Sequence, residues 1–96
     1  MARFSFLPAA SADYEDAFEW YYDRSPRAAV GFEEAVDQAI REIVEAPDRW
    51  PVCDPRHRFH LVNRYPYSIV YRVEADLVVV VAVAHGRRQT KYWRGR

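Results

Sequence analysis

The sequence predicts an α+β fold with the order β-α-α-β-β-β, in which a mainly antiparallel four-stranded sheet carries an αα-hairpin on one face. Three observations lead there. Apolar residues recur at helical spacing in two consecutive segments, 12–24 and 26–46. Two β-rich runs, Tyr65-Pro66-Tyr67-Ser68-Ile69-Val70-Tyr71-Arg72-Val73 and 77–85, are separated only by Glu74-Ala75-Asp76. A short stretch, Phe4-Ser5-Phe6-Leu7, opens the chain with no local strand to pair with.

The opening stretch reads as the first strand, closed by Pro8, with Ser11 as the N-cap of the first helix. Asp13, Glu15 and Asp16 then fall in the first turns, where the helix dipole favours negative charge. Tyr14, Ala17, Phe18 and Tyr21 share one face, and the helix runs to about Arg24. Ser25-Pro26 restarts the chain as an N-cap followed by proline in the first helical position. Phe32, Ala35, Val36, Ala39, Ile40, Ile43 and Val44 form the second stripe, strong enough to override Gly31, whose presence costs about 1 kcal/mol against alanine. Pro47 stops this helix, and so short a break between helices makes a hairpin.

Residues 47–55 contain Pro47, Pro51 and Pro55 and read as a loop, with Trp50 plugging the hairpin onto the sheet. Residues 56–62 form a strand that puts Phe59 and Leu61 on one face and Arg58, His60 and Val62 on the other. Residues 63–66 turn the chain back. In the last strand, the run from Val78 to Ala84 has no polar residue, which suits a strand covered on both faces at the middle of a sheet. Such a strand needs two neighbours, so the first strand is expected beside it. The helices would then cover one face, leaving the other concave and lined by arginines.

The 96 residues make one domain, 1–96. A domain this small buries only about 60–65% of its unfolded surface, so its stability alone is modest. The single cysteine excludes an internal disulfide and fits a reducing cytosol. The N-terminus is too short and broken for a signal peptide, and no apolar run approaches transmembrane length. The expectation is a soluble cytoplasmic protein with no membrane association. The net charge of zero hides a split: residues 1–50 carry five Arg against eleven Asp+Glu, and residues 51–96 carry nine Lys+Arg against three Asp+Glu. The basic half suggests an acidic or polyanionic partner, although the acidic half also suits two solvated helices.

No metal or cofactor is expected. His57 and His60 are three apart on a strand and point to opposite faces, Cys53 with His57 leaves a ligand set short, and three glycines make no phosphate-binding pattern. Reactive and anion-binding residue types concentrate instead after the last strand: His85, Arg87, Arg88, Lys91, Tyr92 and Arg94. Arginines bind phosphate bidentately, and His with Tyr supplies an acid and a base for RNA cleavage through the 2′-hydroxyl. The same segment also suits a solvated basic tail in which Tyr92 and Trp93 fold back as hydrophobic plugs.

Across nearly the whole chain the pattern resembles the RelE/ParE superfamily of type II toxin–antitoxin toxins. The resemblance rests on Phe18-Glu19-Trp20-Tyr21, the long helix ending at Pro47, Trp50-Pro51, the segment 65–72, and Val83-Ala84-His85-Gly86-Arg87-Arg88 with Tyr92-Trp93-Arg94. It implies a growth-arresting toxin, of the kind that stabilises plasmids, held in a hetero-oligomer by a cognate antitoxin. That antitoxin would fold over the basic concave face and the hydrophobic grooves beside the helix hairpin. RelE-like members cleave mRNA in the ribosome without a metal; ParE-like members inhibit DNA gyrase and are not enzymes in that role. The resemblance makes His85, Arg88 and Tyr92 the catalytic residues of the first mode. It makes Arg64, Arg72, Arg87, Arg88, Lys91 and Arg94 the target- or nucleic-acid-binding residues. The strand arginine that RelE-like nucleases place before the apolar-Val-Tyr triplet is Ser68 here, and a serine cannot neutralise a scissile phosphate. The resemblance therefore favours gyrase inhibition, with mRNA cleavage and a decayed, non-toxic antitoxin-binding module as alternatives.

Overall fold

The computed structural model describes residues 3–87 and 91–96. Its elements are β1 (Arg3–Phe6), α1 (Pro8–Arg24), α2 (Pro26–Glu45), β2 (Val52–Asp54), β3 (His57–Leu61), β4 (Tyr67–Glu74) and β5 (Leu77–His85). The strands make one five-stranded sheet in the order β1-β5-β4-β3-β2. As the apolar run requires, β5 has two neighbours: β4, antiparallel, and β1, which pairs with it in parallel from Arg3↔Leu77 to Phe6↔Val80.

Two expectations are corrected. The proline-rich loop contains the short edge strand β2, antiparallel to β3 with an irregular register, so the sheet has one strand more than expected. Pro51 and Pro55 stand just outside β2, so neither removes an N–H from its pairing. Helix α1 begins at Pro8, with Leu7 as its N-cap and no capping side chain, so Ser11 is not the cap. Pro8 serves as the first helical residue, where its missing N–H is no loss. The first turn consequently holds no acidic residue, and Asp13 lies further into the helix.

The α2 boundaries follow the sequence. The Ser25 side chain accepts a bond from the Ala28 N–H at 3.3 Å, and Ala46 caps the helix just before Pro47. The hairpin buries Ala10, Ala17, Phe32, Val36, Ala39, Ile40 and Ile43 against Ile69, Tyr71, Val78, Val80 and Val83 of the sheet. Trp50 joins this layer, stacks on His60 with ring centroids 3.6 Å apart, and donates to the Glu42 carbonyl. Tyr71 is fully buried, and burial pushes its hydroxyl up to about 12. That hydroxyl donates to the Pro47 carbonyl and ties the end of the hairpin to β4.

The opposite face of the sheet is apolar, not arginine-lined. Val70, Val79, Val81, Ala82 and Ala84 form a second core, and Trp93 folds back across it with 8% of its surface exposed. The hydrophobic-plug expectation therefore holds for Trp93. One irregularity shapes this layer: on β4, Val70 pairs with Ala82 and Tyr71 with Val80, which leaves Val81 as an extra residue in β5. This bulge turns Val81 and Ala82 both toward Trp93.

Candidate functional site

A cleft of about 250 Å³ lies on the second face at the exit of β5. Its floor comes from the sheet, including Phe59, Ser68, Val70 and Ala84, and its far wall from Lys91, Tyr92 and Trp93. His85 and Gly86 form the lip, and Cys53 lies at the β2 side. Burial pushes the Cys53 thiol above its ordinary value, which disfavours the thiolate a nucleophile needs.

The structure brings His85 and Tyr92 to the same cleft. The Arg87 N–H donates to His85 Nδ1 at 2.9 Å, so a neutral His85 ring carries its proton on Nε2. The ring stands edge-on to Tyr67 at 5.0 Å. His85 also borders a second cavity of about 370 Å³ beneath α1, lined by Asp13, Asp16, Trp20, Tyr21 and Tyr67. The Tyr92 hydroxyl reaches Asp13 Oδ2 at 3.1 Å. Arg88, the third expected catalytic residue, lies outside the described residues.

The expected cationic residues separate into two groups. Arg64 sits at positive φ in the β3–β4 turn. The Gly86 N–H donates to the Pro66 carbonyl and ties the β5 exit to that same turn. Arg64, Arg87, Lys91 and Arg94 form no ion pair among the described residues. Arg72 is elsewhere. It pairs across to Val79 and lies two residues beyond Val70 of the cleft floor, about 7 Å further along the strand. Its guanidinium is held by the Glu74 carboxylate and by the Arg96 carbonyl at 3.3 Å. Arg72 thus fastens the tail instead of facing the cleft.

The two strand histidines are separated as the spacing required. His57 Nδ1 faces both carboxylate oxygens of Asp54, at 2.9 and 3.0 Å, whereas His60 Nε2 contacts Glu42 at 2.7 Å. Among the described residues no group of three or more His, Cys, Asp or Glu is placed to hold a metal.

Sequence reasoning missed Asp13. Its side chain, 8% exposed, accepts from the Val83 N–H at 3.2 Å, from Tyr92, and from Arg96 Nη1 at 2.8 Å. Arg96 Nη1 also reaches the Val81 carbonyl at 3.1 Å. An acidic residue in a helix gives no hint of such a role; the one available signal was that Asp13 lies four residues before the buried Ala17, toward the sheet side of the helix.

A toxin-type α+β fold and a cleft at the exit of its central strand set the class, and the comparisons with known proteins agree with it. The family model described as the ParE toxin of type II toxin–antitoxin system, parDE, matches residues 4–90. The chain belongs to this ParE toxin family, within the RelE/ParE superfamily, and is the toxin member of a type II toxin–antitoxin system. Among solved structures it is similar to the chromosomal ParDE toxin–antitoxin system from P. aeruginosa, with a TM-score of 0.76 at 17% identity, over 88% of this chain and 96% of that one. No curated protein matches the sequence significantly. Among the described residues no helix is long and apolar enough to cross a membrane.

Proposed function

We propose that this toxin arrests growth in the cytoplasm by binding DNA gyrase through the cleft and the basic segment beside it, and that it does not cleave RNA. The observation that carries this reading is the position of Ser68. It lies on the floor of the cleft, where a nuclease of the superfamily would place a cation, and the next cation on β4, Arg72, is engaged by Glu74 and the Arg96 carbonyl. Stabilising a scissile phosphate needs a cation aimed at it. Among the described residues lining the cleft, Lys91 is the only lysine or arginine.

Shared lining of the cleft by His85 and Tyr92 favours the second reading, ribosome-dependent mRNA cleavage. Pulse labelling after induction of this chain alone separates the two. Gyrase inhibition expects DNA synthesis to fall first, with a DNA-damage response. A prompt fall in protein synthesis with DNA synthesis intact would replace it with mRNA cleavage. Unimpaired growth would leave only an antitoxin-binding module.

The antitoxin is proposed to dock away from the cleft. Phe4 is half exposed on the free edge strand β1 and, with Ile40 and Val44 of α2, lines an apolar groove of about 470 Å³. Asp37, Arg41 and Glu45 flank it, so an amphipathic segment that orders on binding fits the surface.

A further inference from the structure

Strand β1 ends too early to cover β5. Its last register pair is Phe6↔Val80, the Leu7 N–H then donates to the Val80 carbonyl, and the chain turns into α1. From the Val81 bulge to His85, β5 therefore has no strand on that side. Backbone groups left at a sheet edge need partners. Side chains supply them here. Asp13 accepts from the Val83 N–H, Arg96 donates to the Val81 carbonyl, and the Tyr92 hydroxyl approaches the Val83 carbonyl at 3.5 Å.

These same side chains fix the tail. Arg96 is held by Asp13 through Nη1 at 2.8 Å and Nη2 at 3.5 Å, its guanidinium lies 5.0 Å from the Tyr92 ring centroid, and its carbonyl accepts from Arg72. Residues 91–93 are the far wall of the cleft, so one wall of the cleft is attached by this ion pair and the burial of Trp93. We propose that Asp13 is a positioning residue: its clasp on Arg96 and Tyr92 holds Lys91 and Tyr92 at the cleft in the arrangement that engages the target. The target half of this statement rests on the function proposed above. The clasp itself does not.

Cys53, the sole cysteine, lines the same cleft opposite the tail and gives a built-in probe. Cys53 is already partly exposed, so in the purified full chain it is the acceleration of its alkylation by a neutral maleimide over the wild-type rate that reports opening of the tail wall. Losing a charge-assisted hydrogen bond should raise that opening about tenfold. Asp13→Asn and Arg96→Gln are both expected to do so, with the melting temperature of the sheet little changed, whereas Arg96→Lys keeps the charge and labels near the wild-type rate. Growth arrest is expected to weaken in the same order as labelling quickens. Unchanged labelling in both loosening variants overturns the clasp, because Trp93 alone would then hold the tail. Equal acceleration in Arg96→Lys, or a matching loss of global stability, reduces Asp13 to a structural residue and also overturns it. Faster labelling with undiminished growth arrest overturns the positioning role. A wild-type chain that leaves DNA synthesis intact sinks the gyrase reading, and the labelling series still decides the clasp.

Discussion

Tyr65 stands directly over Gly31, so close that a Cβ on the glycine would lie 2.5 Å from the tyrosine hydroxyl. That hydroxyl donates to the Ala28 carbonyl at 3.0 Å, and its ring meets Tyr21 and Phe32 edge-on. The glycine that looks like a helix-propensity cost is the space in which the β3–β4 turn docks on α2. Gly31→Ala gains about 1 kcal/mol in helix propensity. It also displaces the docked ring, and overpacking costs about 1–3 kcal/mol. Net destabilisation by about 1 kcal/mol is expected in urea denaturation. In a Tyr65→Phe background the obstructing oxygen is gone, and the same Gly31→Ala change should become neutral or stabilising. A loss of equal size in both backgrounds would show that Tyr65 is not the cause.

Acid sensitivity follows from two carboxylates. Hydrogen bonds from His60 and then Gln38 hold the Glu42 carboxyl below its ordinary value of 4.5. Burial pushes the Asp54 carboxyl up, but the Arg56 N–H and His57 outweigh it and leave it below 3.8. A carboxyl with a depressed folded value adds stability that is present above its ordinary value and lost as the pH falls through the depressed one. Stability should therefore decline as the pH drops below about 4.5. Glu42→Gln should flatten the upper part of that decline in melting curves recorded against pH; an unaltered slope would remove Glu42 from the account.

Charge reversal at Lys91 and Arg94 tests the basic surface. Lys91→Glu and Arg94→Glu together should weaken inhibition of gyrase supercoiling about tenfold or more, with a loss that shrinks at high salt, because exposed charges act within about a Debye length. Antitoxin binding should persist, since the apolar groove at Phe4 is formed by other elements. Inhibition unchanged by the reversal would move the target contact away from the tail.

His85 separates binding from catalysis. Replacing a general acid or base costs about 10²–10⁴-fold in rate. If the toxin acts by contact alone, His85→Gln removes one contact at the lip of the cleft and should weaken growth arrest only a few-fold. A complete loss, with the protein still folded and bound by antitoxin, would support RNA cleavage instead.

Phe4→Asp tests the proposed docking groove. A half-exposed aromatic at an edge strand supports little of the core, so the melting temperature should change little. Loss of an aromatic anchor costs about 2 kcal/mol or more at an interface, so antitoxin affinity should fall by at least about tenfold in a titration. Retained affinity would place the antitoxin elsewhere.

Most of the fold was legible because its signals are strong and local. The apolar run of β5 demanded a central position, Ser25-Pro26 marked the start of α2, and Pro47 its end. The rest depended on partners distant in sequence. Strand β2 is short and set among prolines, so nothing local distinguishes it from a loop. The Val81 bulge is invisible in a run where neighbouring residues are all apolar. The cleft was half legible: His85 and Tyr92 were read as one cluster and both line it, whereas Arg72 was read as facing the target and its guanidinium bonds Glu74 and the tail. An arginine's sequence position does not say which carboxylate claims it. Asp13 escaped because its partners lie about seventy residues or more further along the chain.

The parallel pairing of β1 with β5 also governs when this chain can become harmful. Phe4 finds its register partner only at Val78, so the sheet cannot close until β5 has left the ribosome. Until then the helix hairpin is covered only by β3, β4 and the turn between them, through Tyr65, Tyr67, Ile69 and Tyr71, and the part that packs on β5 stays open. Non-local closure of this kind is slow, and the uncovered intermediate is prone to aggregation and proteolysis. A chain truncated before Leu77 should accordingly be rapidly degraded and harmless, which ribosome-profiled truncations can check. Toxicity then arrives only once β5 has emerged, leaving an interval during synthesis in which an antitoxin made beforehand can meet the emerging helices.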